Sequence, residues 1–409
     1  MKILFLNEYA PPHQVSGAEY SMMALAEGLR SAGQTVLTLS PDLSTRTDLV
    51  DSPTRSVLDV KFPFWKKLHS GQVLSPLWFN NPIFWLYSTW HILKTVKTQK
   101  INIIHVHGKY ILPGAVIAGR LLRKPVVITI RDFKFLCPLA LCFTNQQKRC
   151  NFSYYINKEI PEYRERYNKT AKWKLVLSKL WQYKLKWLLK QADQLIAISP
   201  QLRQIYLDSG VNNIVSIYNL PPLKIKNLKP EYKLEGKKII VSVGKLSYGK
   251  GTDTLFKAMN LISKKIPQAT LLIAGNKNIS LKVPFPSNTQ YLGRLSQTEV
   301  QKLYLSADLF IILSRWPEPL GRATLEALTF GLPIIASNRG GGNEFVANNG
   351  FLVNPDDPTQ VSEAIIKVLN HPNPNQLRQN SLKLLDSRFN RRQIIQDHLN
   401  LYKTLCSKT

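Results

Sequence analysis

The sequence is short of acidic residues and of cysteine. Its 409 residues include 26 Asp and Glu against 55 Lys and Arg, which gives a formal net charge of +29. Both halves of the chain are basic, so we expect an anionic partner rather than a charged tail. Four cysteines in so long a chain exclude a disulfide-rich scaffold. The apolar start is followed at once by Asn7 and Glu8, unlike a secretory signal, so we expect a cytoplasmic protein.

An uninterrupted apolar run suited to a membrane span is also lacking. The stretch between Lys67 and Lys94 carries no charge and has the length of a span. It is broken by Pro76, Asn80, Asn81, Pro82 and His91. We therefore expect an aromatic-rich buried or interfacial segment there. Short internal repeats are absent as well, which excludes a solenoid.

The chain does contain short apolar runs that alternate with helical patterns, such as Thr252–Lys264. This alternation predicts parallel sheets that are covered by helices on both faces. The strands predicted in the first half are Lys2–Asn7, Thr35–Leu39, Ile101–His107, Pro125–Ile130, Gln194–Ser199 and Ile214–Asn219. Those predicted in the second half are Lys238–Gly244, Ala269–Gly275, Gln290–Gly293, Leu309–Ser314, Pro333–Ser337 and Phe351–Asn354.

A proline- and lysine-rich stretch from Leu220 to Gly236 interrupts this pattern and predicts a linker between two domains. The predicted fold class is α/β, with two Rossmann-like, doubly wound parallel sheets that face each other across a cleft. Because ligands of such sheets bind at the carboxyl ends of the strands, we expect the site in that cleft. The predicted domains are residues 1–220, a linker 221–236, residues 237–390 and a C-terminal helix 391–409.

The most informative motif follows the predicted strand Leu309–Ser314. The strand continues into Ser-Arg-Trp-Pro-Glu-Pro-Leu-Gly, and a predicted helix that contains Glu326 comes next. Glu318 and Glu326 suit sugar hydroxyls, although either glutamate alone is more commonly a helix cap or a partner of the helix dipole. The unpaired backbone N–H groups of the helix start suit a diphosphate. The predicted donor-binding residues at this start are Leu320, Gly321 and Arg322.

This run, Glu318-Pro-Leu-Gly-(x4)-Glu326, continues to three glycines at 340–342 and resembles the retaining glycosyltransferases of family 4. The resemblance implies the GT-B fold, and it implies that Glu326 holds the nucleotide ribose and that Glu318 lies beside the donor sugar. Lys245 and Lys250 resemble the basic pair that grips the diphosphate in the family, where the first position is usually Arg. No Asp-x-Asp motif occurs, so no metal site and no cofactor are expected.

The first domain also carries residues that match the family. Gly17 lies in Ser-Gly-Ala-Glu, which resembles a sugar-binding loop of the family, although a glycine before a helix is often simply a cap. The resemblance implies that His107 points into the cleft, while His105 lies on the same strand face, so one of the two is expected to be buried and hydrogen-bonded. Arg131 stands where the family commonly has a histidine and cannot act as a base. We expect Arg131 to hold phosphate or an acidic acceptor, or the leaving phosphate to act as the base, and Asp132 beside it is a further predicted catalytic residue.

Two further segments leave alternatives open. The cysteines 137, 142 and 150 lack the spacing of a zinc site and are expected to be free thiols, as in a similar loop of some family members on the acceptor side. The stretch from Ala171 to Ala192 places tryptophans and leucines among lysines and contains no acid. It predicts either a membrane-surface helix or a helix whose apolar face packs on the first sheet while its lysines stay in water.

The function expected from these features is transfer of a sugar from a nucleoside diphosphate to a hydroxyl acceptor, with retention of the anomeric configuration. The acceptor is expected to be a glycan or a lipid-linked glycan, reached through peripheral contact with an anionic membrane. An inactive nucleotide-sugar-binding protein is the alternative, because Arg131 and Ser16 depart from the family pattern. A nucleic-acid partner is not expected, since no nucleic-acid motif accompanies the charge.

Overall fold

The computed structural model describes residues 1–7, 17–41, 57–60, 82–139, 151–166, 171–232, 234–277 and 283–408. The chain divides into two compact units. The first contains Met1–Pro138, Leu177–Leu220 and Arg391–Thr409, and the second contains Leu139–Val176 and Pro221–Asn390. The first unit therefore differs from the predicted domain 1–220, because residues 139–176 group with the second unit. This insertion contains no predicted strand, so the alternation of strands and helices could not assign it to a sheet.

The first unit is built on a parallel sheet. Its described strands are β1 Lys2–Leu6, β2 Thr35–Pro41, β3 Val57–Val60, β4 Ile103–Val106, β5 Val126–Ile130, β6 Gln194–Ala197 and β7 Ile214–Ser216. Their order in the sheet is β3-β2-β1-β4-β5-β6-β7, and each pairing is parallel. Strand β3 was missed by the sequence prediction because a four-residue run that includes Asp59 gives a weak signal.

The second unit is built on another parallel sheet. Its described strands are β8 Lys238–Val243, β9 Ala269–Ala274, β10 Thr289–Gly293, β11 Leu309–Ile312, β12 Ile334–Ser337 and β13 Gly350–Val353. Their order is β10-β9-β8-β11-β12-β13. Consecutive residues of the central strands are buried, as at Ile334 and Ile335, because helices cover both faces. Both units thus have Rossmann-like, doubly wound sheets, which confirms the predicted fold class.

Helices connect the strands of both units. They are α1 Gly17–Ser31, α2 Pro82–Gln99, α3 Leu112–Leu122, α4 Ile160–Arg166, α5 Lys172–Leu189, α6 Pro200–Asp208, α7 Thr252–Lys265, α8 Gln297–Ser306, α9 Arg322–Thr329, α10 Pro358–Leu369, α11 Pro374–Arg388 and α12 Arg391–Cys406. None of the helices in the described part of the chain combines the length and the hydropathy of a bilayer span. Helix α2 occupies the end of the uncharged stretch, whose residues 61–81 lie outside the described ranges.

The C-terminal helix α12 is part of the core of the first unit. Ile394, Leu399 and Tyr402 of α12 pack in one cluster with residues of α1, β1 and β4. The Tyr402 hydroxyl lies 2.6 Å from Nδ1 of His105, and Thr129 Oγ1 lies 2.7 Å from Nε2 of the same ring. The last helix therefore closes over the buried polar end of β4, which apolar side chains alone would leave without partners.

These buried histidines predict acid sensitivity. Burial, with the nearby charges of His398 and Arg131, holds the pKa of His105 well below its usual value, and burial lowers the pKa of His398 to about 4. The unfolded chain binds protons at these rings from pH about 6.5 downward. The native state does not bind them until the pH is far lower, so its stability falls as the pH drops through that window.

The unfolding free energy falls on acidification, and we expect it to fall less steeply in His398→Gln than in the wild type. The difference in slope should be about 1.4 kcal/mol per pH unit between pH about 6 and about 4.5. Urea denaturation of the full chain at a series of pH values measures this slope. The slopes are compared rather than the absolute stabilities, because removal of the ring also changes packing. Parallel curves for the two proteins would contradict the prediction.

Candidate active site

The candidate donor site lies where the strand order of the second sheet reverses. Strand β8 has β9 on one side and β11 on the other, and ligands of doubly wound sheets bind at the carboxyl ends of strands at such a point. A cavity at these ends includes Gly244, Lys245, Lys250 and Thr252 in its lining. The two predicted diphosphate lysines therefore border the same cavity, and the side chain of Lys245 is exposed.

The loop after β8 packs against the segment after β11 through glycines. A Cβ on Gly249 would lie 2.7 Å from the Trp316 ring, and a Cβ on Gly251 would lie 2.3 Å from the carbonyl oxygen of Leu313. Gly251 also has φ +65°, a backbone conformation that favours glycine. Because side chains at these positions would push the loop away, the glycines set the position of Lys250 between them.

Lys250 and Glu318 form an ion pair across these two loops. Lys250 Nζ lies 2.7 Å from Glu318 Oε2, and the Ser314 hydroxyl donates to the same oxygen at 2.7 Å. Burial alone would raise the pKa of Glu318, but the charge of Lys250 and the hydrogen bonds from Lys250 and Ser314 lower it below its usual value. Glu318 is therefore ionised, and the ion pair positions the Lys250 ammonium group at the edge of the cavity.

The backbone around Glu318 is fixed by the three consecutive glycines. The N–H of Gly341 donates to the carbonyl of Glu318 at 2.6 Å. A Cβ on Gly340 would lie 2.4 Å from the carbonyl carbon of Pro317, and Gly340 has φ +73°. The glycine motif thus allows the two backbones to approach closely and supports Glu318 from behind.

Glu326 lies inside α9, which begins at Arg322 with Gly321 as its N-cap. The carboxylate is buried and accepts hydrogen bonds from Arg322 Nε at 2.8 Å and Gln297 Nε2 at 3.1 Å on one oxygen. Its other oxygen lies 3.4 Å from the Tyr304 hydroxyl. A carboxylate offers about four acceptor positions, so one remains for a ligand hydroxyl. Gly321 adjoins the first glutamate, because a Cβ there would lie 3.8 Å from Glu318 Cδ.

One residue of the site was missed by the sequence prediction, although it lies inside the motif. Arg315 binds Asp253 with two hydrogen bonds of 2.6 and 2.8 Å, and it binds Asp356 at 2.5 Å. Arg339 also binds Asp356 at 2.5 Å. Burial opposes the charge of Arg315, but these carboxylates raise its pKa above the usual value. The network ties the loop after β11 to α7 and to the loop after β13, and its acids come from distant parts of the sequence.

The first sheet reverses its order between β1 and β4, and His107 follows β4 at that point. His105 is fully buried and hydrogen-bonded through both ring nitrogens, so it is the structural histidine of the pair. Within the described residues, both ring nitrogens of His107 are buried without a hydrogen-bond partner. Burial and the charges of His105, Arg131 and His398 hold the pKa of His107 well below its usual value. His107 is therefore a neutral ring that can donate or accept one hydrogen bond.

Arg131 lies near this ring at the end of β5. Its Nε and Nη1 atoms are buried and have no hydrogen-bond partner in the described ranges. Burial lowers its pKa to about 10, against the opposing effects of Glu19 and Tyr402, so the group stays charged. Asp132 instead closes a local turn, because its Oδ1 accepts from the Lys134 N–H at 2.8 Å. Asp132 Oδ2 also lies 3.8 Å from Lys134 Nζ.

The remaining predicted residues of the first unit are only partly described. Gly17 is the exposed first residue of α1, and its carbonyl accepts from the Ser21 hydroxyl at 2.8 Å. Ser16 lies outside the described residues, as do Cys142 and Cys150. Cys137 is buried and forms no disulfide with a described cysteine.

The chain has two Rossmann-like units, and the second carries the Glu-x7-Glu motif at the start of a helix, where the strand order of its sheet reverses. These features define a protein of the GT-B fold. The chain belongs to the family 4, group 1 glycosyltransferases: the model described as Glycosyltransferase Family 4 matches residues 15–220, and the model described as Glycosyl transferases group 1 matches residues 224–383.

Individual proteins agree with this assignment. The chain is 30% identical over 178 residues to "Putative glycosyltransferase YtcC" of Bacillus subtilis, which covers 39% of this chain and 44% of that protein. It is 25% identical over 331 residues to the "Uncharacterized 41.2 kDa protein in cps region" of Klebsiella pneumoniae, covering 76% of this chain and 82% of that protein. For three curated relatives including YtcC, the chain spans about half of their length. The fold is similar to that of HepE from Anabaena in complex with UDP-glucose, at a TM-score of 0.64 and 18% identity, covering 99% and 100% of the two chains.

The packing of the site loop predicts unequal costs for two glycine substitutions. Gly251 and Gly236 have nearly the same φ, +65° and +66°, so alanine is strained by about 1–2 kcal/mol at either position. A Cβ at Gly236 meets nothing within 4 Å, whereas one at Gly251 meets the Leu313 carbonyl. We expect Gly251→Ala to lower the unfolding free energy by at least about 1 kcal/mol more than Gly236→Ala in chemical denaturation. Equal losses would show that the loops do not need this close approach.

Proposed function

We propose that this protein is a retaining glycosyltransferase that moves a sugar from a nucleoside diphosphate to a hydroxyl acceptor. The observation that carries the proposal is the Lys250–Glu318 ion pair, which adjoins the amide-rich start of α9 at Gly321. Family membership gives the class of reaction, and this arrangement supplies the charges that the reaction needs. The UDP-glucose complex of HepE is consistent with a nucleotide-sugar donor.

In this proposal each group has a place on the donor. The carboxylate of Glu326 accepts a ribose hydroxyl at its remaining acceptor position. The N–H groups at the start of α9, from Leu320 to Arg322, face the diphosphate, which the positive end of the helix favours. Lys245 and Lys250 supply further positive charge, so no metal ion and no cofactor are required for the departing diphosphate.

Transfer breaks the bond between the anomeric carbon and the phosphate oxygen, and it forms a bond from that carbon to the acceptor oxygen. The acceptor proton passes to the departing phosphate oxygen, because Arg131 stays charged and cannot take it. Glu318 stabilises positive charge at the sugar, and His107 hydrogen-bonds a sugar hydroxyl as a neutral ring. Attack on the face that the phosphate leaves keeps the anomeric configuration. Arg131 holds an anionic group of the donor or the acceptor.

We further propose that the acceptor is a glycan or a lipid-linked glycan of cell-surface polysaccharide synthesis. The relative from the cps region of Klebsiella pneumoniae supports this choice. The proposed location is the cytoplasm, with peripheral contact at the inner face of the cell membrane. Nucleic acid is not a proposed partner, because the site residues belong to nucleotide-sugar chemistry.

A catalytically inactive nucleotide-sugar-binding protein is the second candidate. The observation that favours it is Arg131, which stands where the family commonly has a histidine. Such a protein would bind nucleotide sugars through Glu326 and α9 and would release no nucleoside diphosphate. The two candidates therefore share donor binding and differ in transfer.

Donor binding predicts a thermal shift. We expect at least one nucleotide sugar from a panel of UDP, GDP, ADP and dTDP sugars to raise the melting temperature of the full chain, since a ligand at 100 times its Kd stabilises by about 2.7 kcal/mol. Glu326→Gln is expected to weaken the binding of that ligand by about 10- to 100-fold, because the substitution removes a charged hydrogen-bond acceptor. Glu363→Gln, an exposed site on α10, serves as the matched control. A panel without any shift, or equal shifts for the two variants, would count against the donor site.

Transfer predicts a separate effect at Lys250. We expect Lys250→Ala to lower kcat by about 100-fold or more, because it removes positive charge from the leaving diphosphate and leaves Glu318 without its partner. Lys250→Arg should recover part of the activity, and Lys257→Ala, an exposed lysine of α7, should retain it. Nucleoside diphosphate release gives the rate, and NMR of the product gives the anomeric configuration. Inversion would exclude the retaining mechanism, and binding without release for every acceptor tested would favour the inactive protein.

A further inference from the structure

Helix α5 has one exposed stripe of large apolar side chains, although leucines also line its buried stripe. Its buried positions include Lys179, which is 1% exposed, and Gln182, which donates to the carbonyl of Phe135 at 2.9 Å. Leu180 is 50% exposed and Trp187 is 58% exposed on the opposite stripe. Leucines are buried on the same stripe as Lys179, and the exposed stripe is also rich in large apolar residues. The helix thus combines features of both alternatives that the sequence left open.

Helix α2 repeats this feature. Ile83, Leu86 and Trp90 follow one another at helical spacing and are exposed, with Leu86 at 68%. The opposite stripe, which includes Phe84 and Ile92, is buried in the first unit. The sequence predicted an aromatic-rich segment that is either buried or interfacial. The helix has one buried stripe and one exposed apolar stripe.

The two helices and α3 are neighbours. The rings of Trp85 in α2 and Trp181 in α5 stack with their centroids 4.8 Å apart. A Cβ on Gly114 of α3 would lie 2.3 Å from the Ser88 hydroxyl of α2, so these helices are in close contact. Helix α3 adds its own exposed apolar residues. We call the combined surface the apolar face, and its members are Ile83, Leu86, Trp90, Ile117, Leu121, Leu177, Leu180 and Trp187.

The charged residues of the three helices have one sign. None of α2, α3 and α5 contains an aspartate or a glutamate, while their basic residues include Lys94, Arg120 and Lys184. Lys94 Nζ lies 5.5 Å from the centre of the Trp90 ring, and Lys184 Nζ lies 5.7 Å from that of Trp181. The lysines thus lie beside the aromatic rings, which is the composition of a surface that enters the headgroup region of an anionic bilayer.

We propose that the apolar face docks on an anionic lipid bilayer, with its apolar side chains below the headgroups and its lysines at the phosphates. A second copy of the chain fits less well, because symmetric pairing would place lysines opposite lysines with no acid between them. Nucleic acid fits less well because leucine and isoleucine side chains neither stack on bases nor bind phosphate. The inference rests on the peripheral location proposed above, and its test measures lipid binding without any sugar transfer.

The test is sedimentation of the full chain with vesicles. We expect binding to vesicles of phosphatidylglycerol and phosphatidylcholine to be at least about tenfold tighter than binding to phosphatidylcholine alone, and to weaken with added salt. The double variant Leu86→Gln/Trp187→Gln should bind the anionic vesicles at least about tenfold more weakly, since two large side chains no longer enter the bilayer. Both positions are exposed, so folding should be retained, which the melting temperature checks.

Matched controls separate this surface from general charge and hydrophobicity. Leu261→Gln changes an exposed leucine of α7 and should leave binding unchanged, whereas Lys184→Glu should weaken it and Lys383→Glu should not. Equal binding of the double variant and the Leu261 control would overturn the proposal. A dimer of the free chain that the double variant dissociates would overturn it in favour of a second copy. Loss of vesicle binding with retained transfer to a water-soluble acceptor is the expected pattern if both proposals hold.

Discussion

The ion pair between Lys250 and Glu318 is the contact on which the donor site depends. The two residues lie 68 positions apart and reach each other because their loops follow the adjacent strands β8 and β11. An unpaired carboxylate in such a partly buried position would be unfavourable, and the charge of Lys250 lowers the pKa of Glu318. The pair also fixes a cation beside the cavity before a ligand arrives. Preorganised charge of this kind stabilises a developing anion without reorganisation during the reaction.

The same contact explains the glycines that surround it. Gly249 and Gly251 bring the first loop against Trp316 and Leu313, while Gly341 hydrogen-bonds the backbone of Glu318. The site therefore depends on close backbone packing as much as on its charged groups. If the proposed donor binds here, its binding is coupled to stability, since a side chain that separates the loops also separates the ion pair.

Local pattern was sufficient for much of the fold and for part of the site. Buried strands such as Ile3–Leu6 are visible as apolar runs, and Glu326 is placed by the helix that follows a strand. Arg315 was missed because its partners Asp253 and Asp356 are brought together only by the sheet order. His105 and His107 share a strand face, so only the contacts of Tyr402 and Thr129 distinguish the structural ring from the unpaired one.

The orientation of α5 exposes a limit of periodicity itself. Leucines, tryptophans and lysines occur on both of its stripes, so the sequence does not select the buried one. That choice is made by tertiary contacts such as the hydrogen bond from Gln182 to Phe135. It determines whether the apolar residues belong to a core or to an interface.

The scarcity of acids has a different consequence in each unit. In the second unit, carboxylates form ion pairs with the basic residues of the candidate site, as at Asp253, Glu318, Glu326 and Asp356. In the first unit, three neighbouring helices contain no acid, so their exposed lysines, such as Lys184, have no carboxylate partner on the same helix. The excess of basic residues, which gives the net charge of +29, is therefore not offset evenly along the chain by nearby acids. Where acids are present, the basic residues form ion pairs in the candidate donor site, and where acids are absent, they support the bilayer docking proposed above.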